Sequence, residues 1–392
     1  MNSRIASNLY GPSFIMMGIA NLFTVSSFSS FFLFPLFITH HGGSKADIGI
    51  IMGLFALSAV LCRPWVSDMV DRIGRKRSYT VGCLIMSLLP VTYLLFRGDL
   101  SRFYFPLIFI RFVHGVGLAI CFTSAFTYIA DIVPEDRLNE GIGMFGVTGL
   151  TGLAIGPIIA EIVIRSFGFS VFFFTSAAMA TLGLLLHLPL PESYVPVSHE
   201  SSQSFFSVLV KRNVFAVALV AMLFGFGLAA SGSFVSPFAK EHHLPFISLY
   251  YISYSSSAVT ARLLGGRLAD RIGEDQIIPY AMVLTGTGLL ILIFMGGSTI
   301  LVLSGFLSGC GHGFLFPCLN SLIIRNQPIN IRGKITGIFT GGIDAGAFVG
   351  SIILGYIGEW AGFRALFFAA GIVLLAGLGI YKRSLPSVGM TS

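Results

Sequence analysis

Charged side chains are scarce in this sequence. Asp, Glu, Lys and Arg make up only 10% of its 392 residues, whereas hydrophobic residues make up 55% and the mean hydropathy is +0.86. A soluble protein of this length carries about 25% charged residues. Because too few polar side chains remain to cover a surface in water, the sequence predicts a polytopic membrane protein whose outer solvent is lipid.

Cysteine and enzyme signatures are also in short supply. The five cysteines all lie inside apolar runs and none forms a C-x-x-C pair, which argues against a disulfide framework and against a zinc site. The chain has no G-x-S-x-G, H-E-x-x-H or Walker sequence and no large soluble domain. The sequence therefore predicts neither an enzyme nor an ATP-driven pump, and it calls for no cofactor and no metal.

The excess of positive charge has a specific distribution. The net charge is +7, but the basic residues fall in short loops rather than in a patch interleaved with aromatic residues. Positive charge indicates nucleic-acid binding only where it is clustered on one surface, so nucleic acid is not an expected partner. We expect membrane lipids as partners, and a monomeric protein.

Apolar runs long enough to cross a bilayer dominate the chain. A span needs about 20 mostly apolar residues. Reading these runs against charged or Pro/Gly-rich breaks predicts twelve spans. They cover residues 13–38, 47–69, 78–96, 103–130, 139–163, 168–188, 214–238, 247–268, 277–296, 299–324, 335–357 and 363–381. The long polar break at 191–213 predicts two six-helix bundles, at 1–190 and 214–392, joined by a cytoplasmic linker.

The loop charges predict the orientation. With both termini inside, fifteen Lys and Arg residues fall on the inner side and six on the outer side. Cytoplasmic loops carry the excess of Lys and Arg in membrane proteins. The distribution therefore places both termini in the cytoplasm and the protein in the cytoplasmic (inner) membrane.

The two halves repeat each other. Three elements recur in chain order with slowly shrinking offsets, and an even number of spans per half makes the halves parallel repeats about an axis along the membrane normal. Such repeats leave a central cavity and work by rocking the halves. The matched positions are Pro35 with Pro237 (offset 202), Asp71 with Asp270 (offset 199) and Gly156 with Gly350 (offset 194).

The charged turn RPWVSDMVDRIGRKR, residues 63–77, resembles the loop between spans 2 and 3 of the major facilitator superfamily. The family pattern G-x3-D-R-x-G-R-K/R is present with Ser67 in place of its leading glycine, and the second copy ends in Glu274 where a basic residue is expected. The resemblance covers essentially the whole chain. It implies an all-α membrane fold of twelve helices in two pseudo-symmetric bundles and a secondary transporter that works by alternating access.

This resemblance assigns an inner gate to the charged turns. It implies that Asp71 lies against the positive N-terminus of the helix opening span 11, near residues 333–336, and that Asp270 faces the start of span 5. We expect the first copy to matter more, because the second lacks the basic run. The gate residues are Arg63, Asp71, Arg72, Gly74, Arg75, Lys76, Arg262, Asp270, Arg271 and Gly273.

Glycines in spans 5 and 11 resemble the exporter signature of the superfamily. They fall on related faces, and we expect them to let helices from opposite halves approach closely; Pro157 adds a bend. Two expected glycines are replaced by Ala160 and Glu161. The motif residues are Gly143, Gly152, Gly156, Pro157, Gly337, Gly346 and Gly350.

Ionisable and polar residues inside the spans are candidates for coupling and substrate binding. Span 1 lacks the acid that proton-coupled drug exporters tend to carry, and Asp344 is the one acid near mid-membrane. With more basic than acidic groups, the cavity favours anionic, zwitterionic or neutral amphipathic solutes over lipophilic cations. The candidates are Asn21, Arg111, His114, His312, Asn320 and Asp344. For His114 and Asp344 a packing role remains an equal alternative.

Three functions stay open from the sequence. The first is proton-coupled export of a small amphipathic compound, indicated by the span-5 motif, with the proton gradient as energy source. The second is import of an organic anion or sugar, indicated by the basic cavity and the missing acid in span 1. The third is a lipid flippase or a sensor without transport activity.

Overall fold

The fold is helical throughout the part of the chain that the structure describes. The structure is a computed structural model, and it describes residues 10–134, 137–193, 205–324 and 329–384; within these ranges the side chains at 139, 205–206, 265–270, 329–334 and 384 are not described. No strand occurs among these residues. The all-α prediction is confirmed.

Twelve α-helices, here α1 to α12, are described. They are α1 (Pro12–Ser30), α2 (Phe34–His40), α3 (Lys45–Ile73), α4 (Arg75–Thr92), α5 (Tyr104–Ile132), α6 (Leu138–His187), α7 (Phe205–Leu209), α8 (Arg212–Glu241), α9 (Ser248–Ile272), α10 (Glu274–Ile291), α11 (Ser298–Ile324) and α12 (Ile329–Ser384). In the described part of the chain, nine continuous helices are long and apolar enough to cross a bilayer.

Two of these helices are each long enough to cross twice. α6 has 50 residues and α12 has 56, and each is interrupted by one glycine with positive φ, Gly168 (79°) and Gly362 (82°). Only glycine adopts such a conformation easily, and it turns the chain between two spans. The two glycines are 194 residues apart, which is the offset of the span-5 and span-11 motifs. The nine helices thus supply eleven spans, with α1 and α2 together forming the first, and the 25-residue α9 lies at the remaining predicted span, which completes the twelve.

The chain divides into two compact units. Unit 1 comprises Met1–Phe31, Leu61–Phe96 and Val113–Val197, and unit 2 comprises Phe32–Val60, Arg97–Phe112 and Ser198–Ser392. The division passes through α3 and α5, so it groups residues differently from the predicted six-and-six bundles. The boundaries predicted from the linker remain a prediction.

Each unit has its own helix packing. In unit 1, α6 packs against α1 and α4; in unit 2, α12 packs against α8, and α11 packs against α9 and α10. Large apolar side chains remain exposed, among them Phe105 (80%), Leu264 (73%) and Trp360 (81%). In a membrane protein such side chains face lipid, so they mark the outer surface of the helices.

Candidate transport site and gate

Arg75 is the centre of the first charged turn. Its guanidinium lies 2.9 Å from Asp131 Oδ2 and 3.3 Å from Asp71 Oδ1, and it donates a hydrogen bond to the carbonyl of Val70. The Arg75 side chain is only 13% exposed, whereas that of Asp71 is 45% exposed. Within unit 1, the turn therefore ties the ends of α3, α4 and α5 together. The predicted contact of Asp71 with residues 333–336 remains a prediction.

Glu192 closes the start of α4, and sequence reasoning missed it. Its carboxylate accepts hydrogen bonds from the backbone N–H groups of Arg75 (2.8 Å), Lys76 (3.1 Å) and Arg77 (3.4 Å). Helix N-termini leave such donors unpaired and favour negative charge. The available signal was an acid placed directly after a predicted span. Gly74 precedes this helix with φ of 102°, and Arg72 pairs with Asp68 at the surface.

The second charged turn has different partners. Gly273 again has positive φ (95°), 199 residues after Gly74. Glu274 is buried and accepts a hydrogen bond from Ser321 Oγ (2.7 Å), and the carbonyl of Asp275 accepts one from Tyr381 (3.0 Å). Arg271 is exposed. The side chain of Asp270 lies outside the described residues, so its predicted gate role is not addressed by this geometry.

The two arginines that precede these turns were both predicted to serve the gate. Arg63 is partly buried on α3. Arg262 on α9 places its guanidinium over the ring of Phe316 on α11, 5.6 Å from the centroid, and its gate role remains a prediction. This distance is within the range of a cation–π interaction.

The exporter-motif glycines make close contacts within each half. A Cβ at Gly152 would lie 3.0 Å from the Leu22 carbonyl, and one at Gly156 would overlap the backbone of α1 at Ser26. A Cβ at Gly346 would overlap the Met222 carbonyl of α8. The expected role at a seam between opposite halves is therefore wrong for these glycines, because the helix each one meets belongs to its own half.

The remaining motif positions are less confined. A Cβ at Gly143 would meet no atom within 4 Å, whereas one at Gly350 would lie 2.9 Å from the Phe226 Cα of α8. Pro157 lies inside α6 directly after Gly156, and Gly337 lies in α12. Gly156, Gly346 and Gly350 are thus the motif positions where any side chain, even that of alanine, would clash with a neighbouring helix.

Polar groups in the interior of unit 1 bond to one another. Asn21 on α1 donates to Thr148 Oγ1 (2.9 Å), and Thr24 shares a hydrogen bond with Tyr79 (2.9 Å). All but Thr148 are buried. Asn21 therefore joins α1 to α6 in this conformation.

His114 is sealed inside unit 1. It is fully buried, its Nδ1 lies 3.3 Å from the hydroxyl of Tyr93, and the ring of Phe31 meets it edge-on at 4.8 Å. Phe172 and Phe173 extend this aromatic wall around Phe31 and Tyr93. This burial favours the packing role that the sequence left as an alternative.

Arg111 occupies an aromatic box in unit 2. Its side chain is 1% exposed and its guanidinium lies 4.4 Å from the ring centroid of Phe55 and 5.1 Å from that of Phe34. Its Nη2 approaches the sulfur of Met52 at 3.5 Å. Because aromatic faces and a thioether surround this cation, it is not presented on an open surface of the site.

His312 also lies in unit 2 but is partly exposed. The hydroxyl of Tyr254 on α9 hydrogen-bonds to its Nδ1, and Phe224 on α8 meets its ring edge-on at 5.0 Å. His312, Phe316 and Asn320 are spaced four residues apart on α11 and so lie on one face. With Tyr254 and Arg262 of α9 they form what we call the Arg262 cluster.

Asp344 lies on the face of α12 that points away from α8. Gly342 and Gly346 lie against α8, as does the backbone of Ile343, and Asp344 is two residues, or about half a helical turn, from both glycines. Its side chain is partly exposed. Asp344, His312 and Asn320 are thus the predicted cavity residues of unit 2 that remain partly open.

Within unit 2, α3 and α12 meet at the ends that the loop charges assign to the outside. A Cβ at Gly49 would overlap the Ser351 carbonyl, and one at Gly53 would lie 3.2 Å from the Phe348 carbonyl. The backbone N–H of Lys45 donates to Glu359 Oε2 (2.9 Å). At Gly49 the two helices therefore approach to direct backbone contact near this end.

These features define a class of protein: a multi-span membrane transporter with an internal polar site and charged turns at the helix ends. The chain belongs to the Major Facilitator Superfamily, whose family model matches residues 15–326 and 246–388. The family consists of transporters that bind small-molecule substrates, not of enzymes.

Curated relatives and solved structures agree with this assignment. The chain is 23% identical over 362 residues to multidrug resistance protein MdtG of Serratia proteamaculans (90% of this chain, 87% of the relative). It is 27% identical over 361 residues to multidrug resistance protein 2 of Bacillus subtilis (88% and 87%). The human organic anion transporter MFSD10 (TM-score 0.71) and a mutant of the nucleoside transporter NupG (TM-score 0.74) share the fold at 16% identity, each covering 95% of this chain and 100% of the solved one.

Proposed function

We propose that this protein exports small amphipathic organic compounds across the cytoplasmic membrane by alternating access, driven by the proton gradient. The Arg262 cluster carries the proposal. It joins aromatic rings, hydroxyl and imidazole groups and one guanidinium at a partly exposed place among otherwise apolar helices. Such a mixture of apolar walls and few polar groups is typical of small-molecule sites. Both termini lie in the cytoplasm in this proposal.

Two further observations support export. The chain's curated relatives include multidrug resistance proteins, and the span-5 glycines of the exporter motif allow close packing of α6 on α1. Within unit 2, α3 and α12 pack closely at the predicted outer end, as expected where a transporter that works by alternating access closes one side of its site. Import remains the second candidate, because the site contains a cation.

Proteoliposomes loaded with dye and placed in acidic medium test the proposal. Three related probes are used: carboxyfluorescein (an anion), rhodamine B (a zwitterion) and its ethyl ester (a cation). We expect the external acid to accelerate efflux of the anion or the zwitterion. Efflux that is indifferent to the gradient contradicts proton coupling, and acid-driven uptake by empty vesicles with the dye supplied outside supports the import alternative. Phospholipid scrambling without dye movement points to a flippase.

Asp344 is the proposed proton carrier. The substitution Asp344→Asn removes the titrating group while keeping its shape, so uphill efflux should stop while dye exchange at equal pH continues. Asp275→Asn is the matched control, because Asp275 is an exposed acid at the start of α10 in the same unit. Uphill accumulation by Asp344→Asn at the wild-type level would refute this role.

A further inference from the structure

The Arg262 cluster contains hydrogen-bonding capacity that its own members do not use. Arg262 Nε and Asn320 Oδ1 are buried atoms with no hydrogen-bond partner among the described residues. Within the same part of the chain, no carboxylate forms an ion pair with Arg262. A guanidinium inside a membrane protein is costly unless an anion or aromatic groups compensate it. Here the ring of Phe316 covers one face of the cation.

The open side of the cluster does not face lipid. On α11, the exposed Leu303 lies nine residues before His312, which is two and a half helical turns and therefore the opposite face. On α9, Leu264 is 73% exposed and lies two residues after Arg262, again about half a turn away. The cluster therefore points into the protein, where a solute rather than a lipid chain can reach it.

The chemistry of the cluster selects a particular kind of solute. Guanidinium groups bind carboxylates through two parallel N–H donors. The Phe316 ring beside the cation offers an apolar surface of aromatic size, and Tyr254 orients the ring of His312 by bonding its Nδ1. Among the side chains that the structure describes, the cluster includes no acid, so a cationic solute would meet repulsion from Arg262 without compensation from these groups.

We propose that the Arg262 cluster binds the carboxylate of an aromatic organic anion, with Arg262 holding the carboxylate and Phe316 packing against the apolar body. The proposal rests on the proposed export function, since it names the class of compound that is carried. It also assigns the binding of the substrate's negative charge to Arg262 and not to Arg111 or His114, which are both buried.

Binding to the purified full-length protein in lipid nanodiscs tests this site. The probes are naphthoate, naphthamide and naphthylmethylammonium, which share one ring system and differ in charge. We expect naphthoate to bind at least about tenfold more tightly than naphthamide, as expected for a hydrogen bond to a charged group. Arg262→Gln should reduce this preference to less than about twofold, and Arg262→Lys should keep part of it.

Three controls make the result specific. Arg364→Gln removes an exposed cation of the same unit and should leave the preference unchanged. Asp270→Asn should also leave it unchanged, because the substrate rather than this acid neutralises Arg262 in the proposal. Thermal unfolding checks that Arg262→Gln remains folded. If Arg262→Lys keeps part of the preference for naphthoate, the loss in Arg262→Gln is due to the missing charge and not to unfolding.

The outcomes separate this site from the transport function. Equal binding of naphthoate and naphthamide, or a preference that survives in Arg262→Gln, overturns the proposed site even if acid-driven dye efflux is observed. Arg262-dependent binding of naphthoate supports the site even if no efflux is driven, in which case it is the export proposal that fails.

Discussion

His114 and His312 occupy the same place in the two halves, 198 residues apart, and each is followed by glycine. In both, a tyrosine hydroxyl bonds to Nδ1 and a phenylalanine ring meets the imidazole edge-on. Yet His114 is fully buried, whereas His312 is partly exposed beside Phe316 and Arg262. One repeated element therefore serves packing in one unit and an open site in the other.

The difference teaches that the repeat sets positions but not roles. In unit 1, Phe172 and Phe173 pack against the Phe31 and Tyr93 rings that contact His114, and His114 is fully buried. In unit 2, the hydrogen bond and the edge-on ring are kept, but the next turn of α11 carries Phe316 under a guanidinium. Exposure, and not the identity of the residue, separates the two histidines.

The largest expected effect comes from substituting each histidine by phenylalanine. His312→Phe fills the open site and should reduce transport at least about tenfold, while the lost hydrogen bond from Tyr254 should cost about 1 kcal/mol of stability. His114→Phe overpacks a sealed interior and should cost about 1–3 kcal/mol of stability, while transport per folded molecule changes less than about threefold. Dye efflux normalised to folded protein, together with thermal unfolding, measures both effects. Equal loss of transport in the two variants would erase the distinction between the units.

The second comparison concerns the exporter-motif glycines, where the halves should behave alike. Gly156→Ala and Gly346→Ala each force a methyl group into a neighbouring backbone, at Ser26 and Met222 respectively, and should each cost about 3 kcal/mol. Gly143→Ala is the control within the same motif: its Cβ meets nothing within 4 Å, so stability should stay unchanged or rise by up to about 1 kcal/mol. Thermal unfolding in detergent checks the order. A large loss for Gly143→Ala would show that the motif acts through something other than contact with α1 and α8.

The sequence predicted the fold well because lipid imposes simple rules. Length and polarity alone locate the spans, since every backbone group in a bilayer must bond within a helix. The sequence also predicted breaks between spans at residues 163–168 and 357–363. In the structure the chain turns at Gly168, the end of the first break, and at Gly362, within the second. The repeat could be recognised from one sequence because the two halves carry the same residue type at matched positions, such as Asp71 and Asp270.

The candidate site was harder to predict because its determinants are distances and exposure. Depth along a span placed His114 near mid-membrane but gave no sign of the aromatic wall that seals it. Motif position assigned Arg262 to the gate, whereas its contact with Phe316 depends on how α9 packs on α11. The exporter-motif glycines were assigned to the wrong partner helices for the same reason. Periodicity shows that one face of a helix carries small residues, but it does not show which helix packs against that face.

The third comparison is between the two charged turns. Arg75→Gln removes a mostly buried cation that pairs with Asp71 and Asp131, and should cost about 2 kcal/mol of stability in addition to lowering transport. Arg271→Gln removes an exposed cation and should change stability by less than about 0.5 kcal/mol. Thermal unfolding and dye efflux of the two variants give the contrast. Equal effects would show that both turns rely on the same kind of network.

The smallest expected effects come from substituting the two tyrosines whose hydroxyl groups hydrogen-bond to the histidines. Tyr93→Phe deletes a hydrogen bond in the sealed wall of unit 1, so it should cost about 1 kcal/mol of stability and leave naphthoate binding unchanged. Tyr254→Phe frees the ring of His312 beside Arg262, so it should weaken naphthoate binding about threefold with a comparable loss of stability. Binding in nanodiscs resolves the pair, since both variants lose one hydroxyl and differ only in what their histidine faces. If Tyr93→Phe weakened naphthoate binding as much as Tyr254→Phe, His114 would contribute to substrate binding despite its burial.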